Sequence, residues 1–202
     1  VHPSDWRNPT PAGRYNLVVI GAGTAGLITS LVASSLGARV ALVERHLMGG
    51  DCLNVGCVPS KSVIRAARRV HEARLARELG LGVSPDLLPD FGAAMERMRA
   101  IRARISHEDS AARYHRDFGV DVFFGNARFA GPGTVDVDGT ALAFKKAVIA
   151  TGARATAPPI EALVPNLVEP TATARRFASA LEMIDKSPTL RTTALAPSAA
   201  SA

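Results

Sequence analysis

The stretch YNLVVIGAGTAGLITSLVASSLGARVALVE, residues 15–44, decides the fold. It opens with a short, apolar, β-rich run that stops at Gly21. The run TAGLITSLVASSLG then predicts a helix that ends near Gly37, and ARVALVE predicts a second apolar strand. A strand, a helix and a strand in this order form a βαβ unit, which predicts a parallel sheet.

Residues 21–26, GAGTAG, form a glycine loop that fits the pattern G-x-G-x-x-G. The pattern alone is weak evidence for a dinucleotide site. Here, however, it follows a predicted strand and opens a predicted helix, and an acidic residue, Glu44, lies at the end of the next strand. Gly21 permits the tight turn, Gly23 lets a pyrophosphate approach the helix N-terminus, and Gly26 lets the helix pack against the strand. Glu44 would accept hydrogen bonds from a ribose diol. The alternative is that the glycines only make a tight turn, and the pattern does not separate NAD from FAD.

Residues 48–61, MGGDCLNVGCVPSK, form a cysteine loop that holds Cys52 and Cys57, the only two cysteines of the 202 residues. The C-x4-C spacing differs from the C-x2-C of zinc ribbons, and there is no second cysteine pair, so no metal site is predicted. An inert reduced pair is one alternative. The favoured one is a redox-active dithiol, because Cys57 begins a predicted helix and the positive end of a helix stabilises a thiolate.

The remaining sequence extends the fold and sets its limits. Helical periodicity predicts helices over residues 60–79 and 91–106, and three later runs (VDVFFGNARFAG, TVDVD and LAFKKAVIATG) predict strands. We therefore expect an α/β fold that is Rossmann-like, with a parallel sheet, flanking helices, a small antiparallel β segment and an irregular C-terminal tail. Residues 1–14, which are polar and proline-rich, are predicted to be a disordered arm. Residues 160–202 are predicted to be a low-complexity tail, disordered or read out of frame.

The charge pattern bears on partners and compartment. The net charge is +6, but the arginines lie in predicted helices among acids and apolar residues, which indicates a solvated helix face and no nucleic-acid partner. No run of about 18 apolar residues and no leader sequence is seen, so no membrane association is expected and the predicted location is cytoplasmic. In that compartment a lone cysteine pair is more often redox-active or metal-binding than structural.

At this point the sequence resembles a known family. GGDCLNVGCVPSK is similar to the signature of the flavin-dependent pyridine nucleotide–disulfide oxidoreductases, such as dihydrolipoamide dehydrogenase, glutathione reductase and mercuric reductase. The glycine loop, the acid of LVER and the run VIATGARA follow in the family's order. The resemblance covers residues 15–159, and the motif sequences are most similar to those of mercuric-reductase-like members. It implies that these residues are the N-terminal half of an FAD-binding domain with a redox-disulfide loop.

The resemblance also implies a role for each matching residue. FAD would lie with its pyrophosphate over the glycine loop and its flavin ring against a Cys52–Cys57 disulfide. Cys57 would be the charge-transfer thiolate facing the flavin, and Cys52 the interchange thiol that attacks the substrate. Lys61 would stabilise negative charge on the reduced ring, and the backbone of Ala127 would touch adenine. The cofactor-binding residues are predicted to be Gly21, Gly23, Thr24, Ala25, Gly26, Glu44, Gly50, Asp51, Lys61, Ala127, Thr151 and Gly152.

The implied reaction passes a hydride from NAD(P)H to FAD, then two electrons to the disulfide, then to a small-molecule or thiol/disulfide substrate. Family members are homodimers with a second nucleotide domain and an interface domain. The sequence after Gly152 carries the motifs of neither domain. We therefore expect a truncated chain, inactive by itself, whose tail from Glu161 is out of frame, with NAD(P)H as electron donor only in the full-length enzyme. The alternative function is a non-enzymatic flavin-binding or thiol redox module.

Overall fold

The computed structural model describes residues 3–11, 13–82, 84 and 89–153. The chain divides into two units after Ala153. The predicted low-complexity tail, residues 160–202, lies outside the described residues. All structural statements below concern the described ranges.

The described residues form one six-stranded sheet with helices packed against it. The strands are β1 (Tyr15–Ile20), β2 (Val40–Glu44), β3 (Asp121–Phe124), β4 (Ala127–Gly131), β5 (Thr134–Val137) and β6 (Thr140–Ile149). The helices are α1 (Thr24–Ser35), α2 (Gly50–Asn54), α3 (Cys57–Glu78), α4 (Phe91–Ser106) and α5 (Ala111–Phe118). The predicted α/β, Rossmann-like fold class is confirmed, and so are the two long helices.

The sheet has the order β3-β2-β1-β6-β5-β4 and changes character at β6. β3, β2, β1 and β6 are parallel, whereas β6, β5 and β4 are antiparallel. β6 is ten residues long, and its two ends have different partners. Its later part pairs with β1, up to Ile20 opposite Ile149, and its first residues pair with β5, from Thr140 opposite Val137. One strand therefore joins the parallel sheet to the small antiparallel segment.

β1, β2 and β3 are mostly apolar because both of their faces are largely buried. Successive side chains of a strand point to opposite faces, so Val19 lies in one core cluster and Val18 in another. The first cluster also contains Leu27 of α1 and Tyr114 of α5. The second cluster contains Tyr15, Val18, Ala41, Val43, Phe123, Val135, Val137, Leu142 and Phe144. The helices cover the first face, and the antiparallel strands contribute to the second.

The third glycine of the glycine loop sets the distance between α1 and β1. A Cβ atom added to Gly26 would lie 1.8 Å from the carbonyl oxygen of Gly21. No side chain can occupy that space, so α1 packs as closely as the backbone allows. This is the close approach that the fingerprint predicts for its third glycine.

The N-terminal segment differs from the predicted disordered arm where the structure describes it. The Asn8 side-chain amide donates to the Phe124 carbonyl and accepts from the Phe124 N–H, both at 2.8 Å. The Trp6 indole N–H donates to the Val122 carbonyl at 3.3 Å. β3 is an edge strand with backbone groups that need partners, and residues 6–8 supply them. Composition cannot reveal such a pairing, because it depends on which strand lies at the edge.

Helix α5 was not predicted from the sequence. It follows Ser110, whose hydroxyl accepts the Arg113 N–H at 3.2 Å, and it ends at Gly119 with φ +63°. These are ordinary start and stop signals of a helix. The segment AARYHRDF between them is only eight residues long, and its Ala111 and Tyr114 lie on the buried face. Within the described ranges, no helix is both long enough and apolar enough to span a bilayer.

Candidate functional site

The N-terminus of α1 is open toward the glycine loop. Gly23 is its N-cap, no side chain caps it by a hydrogen bond, and its first turn has no acidic residue. The first N–H groups of a helix lack intrahelical partners and carry a partial positive charge, so they attract an anion. A Cβ added to Gly23 would meet Gly50 Cα at 3.7 Å as its nearest neighbour. The two glycines therefore bound a cradle that a side chain larger than alanine's would fill.

Glu44 is fixed beside the glycine loop by two backbone donors. One carboxylate oxygen accepts the Ala22 N–H at 2.8 Å, and the other accepts the His46 N–H at 2.9 Å. A carboxylate oxygen has two lone pairs, so each still has capacity for a hydroxyl donor. The predicted ribose acceptor thus also has a structural contact, which the sequence pattern did not indicate. It stabilises the second residue of the loop that would carry the pyrophosphate.

The cysteine loop docks on the glycine loop backbone to backbone. The Gly49 N–H donates to the Ala22 carbonyl at 2.8 Å. Gly50 has φ +55°, and a Cβ added there would lie 2.6 Å from Gly23 Cα. Gly50 is therefore required by the contact between the two loops, whereas a side chain at Gly49, which has φ +89°, would meet Leu53 of α2. The contact brings the start of α2 against the start of α1.

The two cysteines lie at the junction of α2 and α3. Cys52 is within α2 and partly buried, and Cys57 is the first residue of α3 and exposed. Both are free thiols, which is the reduced form of the pair. The pKa of Cys52 is raised, first because its thiol hydrogen-bonds Cys57, then by burial and by negative charge on Cys57. A hydrogen bond from the Thr24 hydroxyl opposes this rise.

Two charged residues flank the thiols. Lys61 follows Cys57 by one helical turn and is exposed, so the ammonium group and the sulfur share a face of α3. Asp51 lies in the first turn of α2. Within the described ranges, no group of three or more His, Cys, Asp or Glu side chains is placed to hold a metal ion.

The end of β6 completes the site. A Cβ on Gly21 would lie 2.3 Å from the Ala150 carbonyl oxygen and 3.1 Å from Thr151 Cα. Thr151 and Gly152, both exposed, therefore follow directly beside the glycine loop. Ala127 begins β4, just after Gly125, whose N–H donates to the Glu44 carbonyl at 2.9 Å. All predicted site residues thus lie on the loops at the carboxyl ends of the parallel strands or on elements that begin there, where open α/β sheets bind ligands.

Comparison with known proteins now decides the family. Residues 15–189 match the family described as "Pyridine nucleotide-disulphide oxidoreductase". The chain belongs to this family. The match continues past Pro159, where the resemblance described above ends. The predicted resemblance is confirmed, and members of this pyridine nucleotide-disulphide oxidoreductase family are enzymes.

Relatives agree with this assignment. The chain is 34% identical over 149 residues to a mercuric reductase of Bacillus cereus, covering 74% of this chain and 23% of the relative. It is 31% identical over 146 residues to a dihydrolipoyl dehydrogenase of Acholeplasma laidlawii, covering 72% and 43%. The solved structure of the HOCl-induced flavoprotein disulfide reductase RclA from Escherichia coli matches with a TM-score of 0.56 at 29% identity, covering 72% and 30%. The chain spans less than half the length of each of these relatives.

Two residues of this oxidoreductase chain that sequence reasoning missed hold the cysteine loop. The Asn54 side-chain amide donates to the Met48 carbonyl at 3.1 Å and to the Gly50 carbonyl at 2.8 Å. The Asn54 carbonyl accepts from Arg102 Nη1 of α4 at 3.1 Å. Asparagine often bonds nearby backbone groups in turns, so Asn54 could have been suspected. Nothing in the sequence marks Arg102.

Thr24→Val should raise the pKa of Cys52 further. The Thr24 hydroxyl bond favours the Cys52 thiolate, and valine keeps the shape of the side chain without the hydroxyl. The rate of alkylation of Cys52, measured against pH in a Cys57→Ala background, should therefore move to higher pH. Thr24→Ser, which keeps the hydroxyl, is the control and should move less. Superimposable profiles for the valine and serine variants would contradict the assigned contact.

Proposed function

We propose that the chain binds FAD at the glycine loop and that Cys52 and Cys57 exchange electrons between the flavin and a disulfide or soft-metal substrate, as in a mercuric-reductase-like disulfide oxidoreductase. The observation that carries the proposal is the docking of the cysteine loop on the glycine loop, where the Gly49 N–H donates to the Ala22 carbonyl at 2.8 Å. This contact brings the helix that carries Cys52 against the start of the nucleotide-binding helix. When bound, FAD would supply hydride acceptance from NAD(P)H and two-electron reduction of the disulfide.

The anion site supports FAD binding. The uncapped start of α1 offers backbone donors, and no side chain at Gly23 or Gly50 blocks the approach of a pyrophosphate to them. Glu44, held by two backbone N–H groups, is oriented to accept further hydroxyl donors. The chain's residues therefore fit both the phosphate and the ribose of a dinucleotide.

The thiol pair supports exchange with a disulfide. The Cys52 sulfur would form a bond to one substrate sulfur while the substrate S–S bond breaks and the second substrate sulfur leaves as a thiolate that takes a proton. The Cys57 sulfur would then displace the first substrate sulfur. The protein pair is oxidised to a disulfide, and the substrate disulfide is reduced to two thiols. Because the neighbouring Cys57 raises the pKa of Cys52, the reduced Cys52 thiol holds its proton more tightly than an ordinary cysteine does.

The donor and the partner subunit belong to the proposal as well. The chain spans less than half of its relatives, so hydride donation by NAD(P)H and the family's homodimer are proposed for the complete protein. Lys61, which shares a helix face with Cys57, is proposed to stabilise negative charge on the reduced cofactor.

Equilibrium dialysis with FAD tests the proposal. The wild-type chain should bind FAD, and Glu44→Gln should weaken binding by roughly 1.5–3 kcal/mol, or roughly 10- to 150-fold, the value of a charge-assisted hydrogen bond. Glu72→Gln is the matched control, because Glu72 is a surface residue paired with Arg69 on α3, and it should bind like the wild type. A wild-type chain that retains no FAD, or a Glu44→Gln variant with unchanged affinity, would overturn the assignment.

A further inference from the structure

We propose that Arg102 is a positioning residue for the redox pair, which holds α2 so that Cys52 stays within disulfide-forming reach of Cys57. The inference rests on the proposed redox role of the two cysteines. It adds Arg102 of α4 to the site, a residue that no sequence motif indicates. Arg102 reaches the site through Asn54, and no contact of Arg102 with a sulfur is invoked.

Helix α2 needs external support. It has five residues, far fewer than the about 12–15 that an isolated helix needs to be even marginally stable in water. Its start is held by the Gly49 N–H on the Ala22 carbonyl. Its interior turn is closed by the Asn54 side chain on the Met48 and Gly50 carbonyls. Arg102 holds its end from outside, through the carbonyl of Asn54, which lies two residues after Cys52 in the chain.

Arg102 suits this role chemically. The last carbonyls of a helix carry partial negative charge, and a guanidinium that donates to one of them makes a charge-assisted hydrogen bond. Arg102 is partly buried, whereas Arg104 on the same helix is exposed. Arg99, also on α4, pairs instead with Glu96 of its own helix. The contact of Arg102 with the Asn54 carbonyl spans 48 residues of sequence, so it fixes α2 relative to α4.

The same helix also packs along α3, which carries Cys57. α4 therefore contacts both α3, which carries Cys57, and α2, which carries Cys52. Its contact with α2 includes the hydrogen bond that Arg102 donates. A disulfide forms only within a narrow range, with Cα atoms about 4.4–6.8 Å apart. Loosening α2 gives the reduced pair more positions in which the sulfurs are too far apart. Loss of Arg102 should therefore disfavour the disulfide relative to the two thiols.

The test equilibrates the protein with mixtures of reduced glutathione and glutathione disulfide, traps thiols by alkylation and measures the oxidised fraction by mass spectrometry. Each oxidation converts two protein thiols and one glutathione disulfide into a protein disulfide and two glutathione molecules. For Arg102→Met, the midpoint should need a glutathione ratio roughly two- to tenfold more oxidising, the range of one net hydrogen bond. Arg104→Met removes the same charge from the same helix and should keep the wild-type midpoint.

Two further variants make the outcome decisive. Arg102→Lys keeps a charged donor and should lie closer to the wild type than Arg102→Met does. Arg102→Gln serves as the neutral variant if Arg102→Met fails to fold, with the same expected shift. A wild-type chain that forms the disulfide, together with a neutral variant of unchanged midpoint, would overturn the role of Arg102 and leave the proposed function standing. A wild-type chain that forms no Cys52–Cys57 disulfide in any mixture would overturn both.

Discussion

Gly26→Ala is expected to destabilise the fold strongly, whereas Gly23→Ala should be as stable as the wild type. The two glycines lie in one loop and differ in what a methyl group would meet. At Gly26 it would lie 1.8 Å from a backbone oxygen, which cannot move without separating α1 from β1. At Gly23 its nearest neighbour would be 3.7 Å away, an ordinary contact.

Gly26→Ala should lower the free energy of unfolding by about 3 kcal/mol or more. Overpacking usually costs about 1–3 kcal/mol, and here the obstacle is a backbone oxygen that cannot give way. That loss is a large share of the about 5–15 kcal/mol that stabilises a native domain. Urea denaturation followed by far-ultraviolet circular dichroism measures both variants. Equal midpoints for the alanine variants at positions 26 and 23 would show that α1 does not approach β1 as described. The comparison uses no ligand, so it tests the fold alone.

Gly23→Val is expected to abolish FAD binding while the chain stays folded. Gly23 has φ −78° and ψ −175°, which any residue can adopt, so the backbone tolerates the change. The valine side chain would instead fill the cradle opposite Gly50 and keep a pyrophosphate from the backbone donors of α1. Equilibrium dialysis should find no FAD retained at concentrations that saturate the wild type.

A matched control separates this effect from a general effect of valine. Gly82 has open space where a side chain would go, so Gly82→Val should leave FAD binding unchanged. Circular dichroism must show the same folded spectrum for Gly23→Val and the wild type. Undiminished FAD binding by a folded Gly23→Val variant would show that FAD does not bind at the glycine loop.

The parts of the fold that the sequence predicted have local signals. β1, α1 and β2 follow from apolar runs and from glycines at their ends, and α4 follows from an apolar stripe at helical spacing. α5 also has an apolar face, with Ala111 and Tyr114 buried, but its eight residues give periodicity little length in which to show. Ser110 and Gly119 mark its ends. The docking of residues 6–8 on β3 has no local signal, because it exists only once β3 lies at the sheet edge.

The site divides in the same way. The position of Cys57 at a helix start and of Lys61 one turn later follows from spacing along a single helix. The effect of Thr24 on the pKa of Cys52 depends on how two loops meet, and no periodicity reports that. The contact between Arg102 and Asn54 requires α4 to fold back on α2, so it is visible only in three dimensions.

The pairing of β1 with β6 has a consequence for the nascent chain. β1 lies in the middle of the sheet, yet one of its two neighbours is the last strand of the described part. At about 5–20 residues per second, a ribosome needs roughly 6–26 seconds to add the roughly 130 residues between the ends of these strands. During that time one apolar edge of β1 has no native partner, and exposed strand edges pair with other chains. Any peptide released before Thr140 keeps that edge open permanently, so synthesis that stops early should yield aggregates instead of a smaller folded domain.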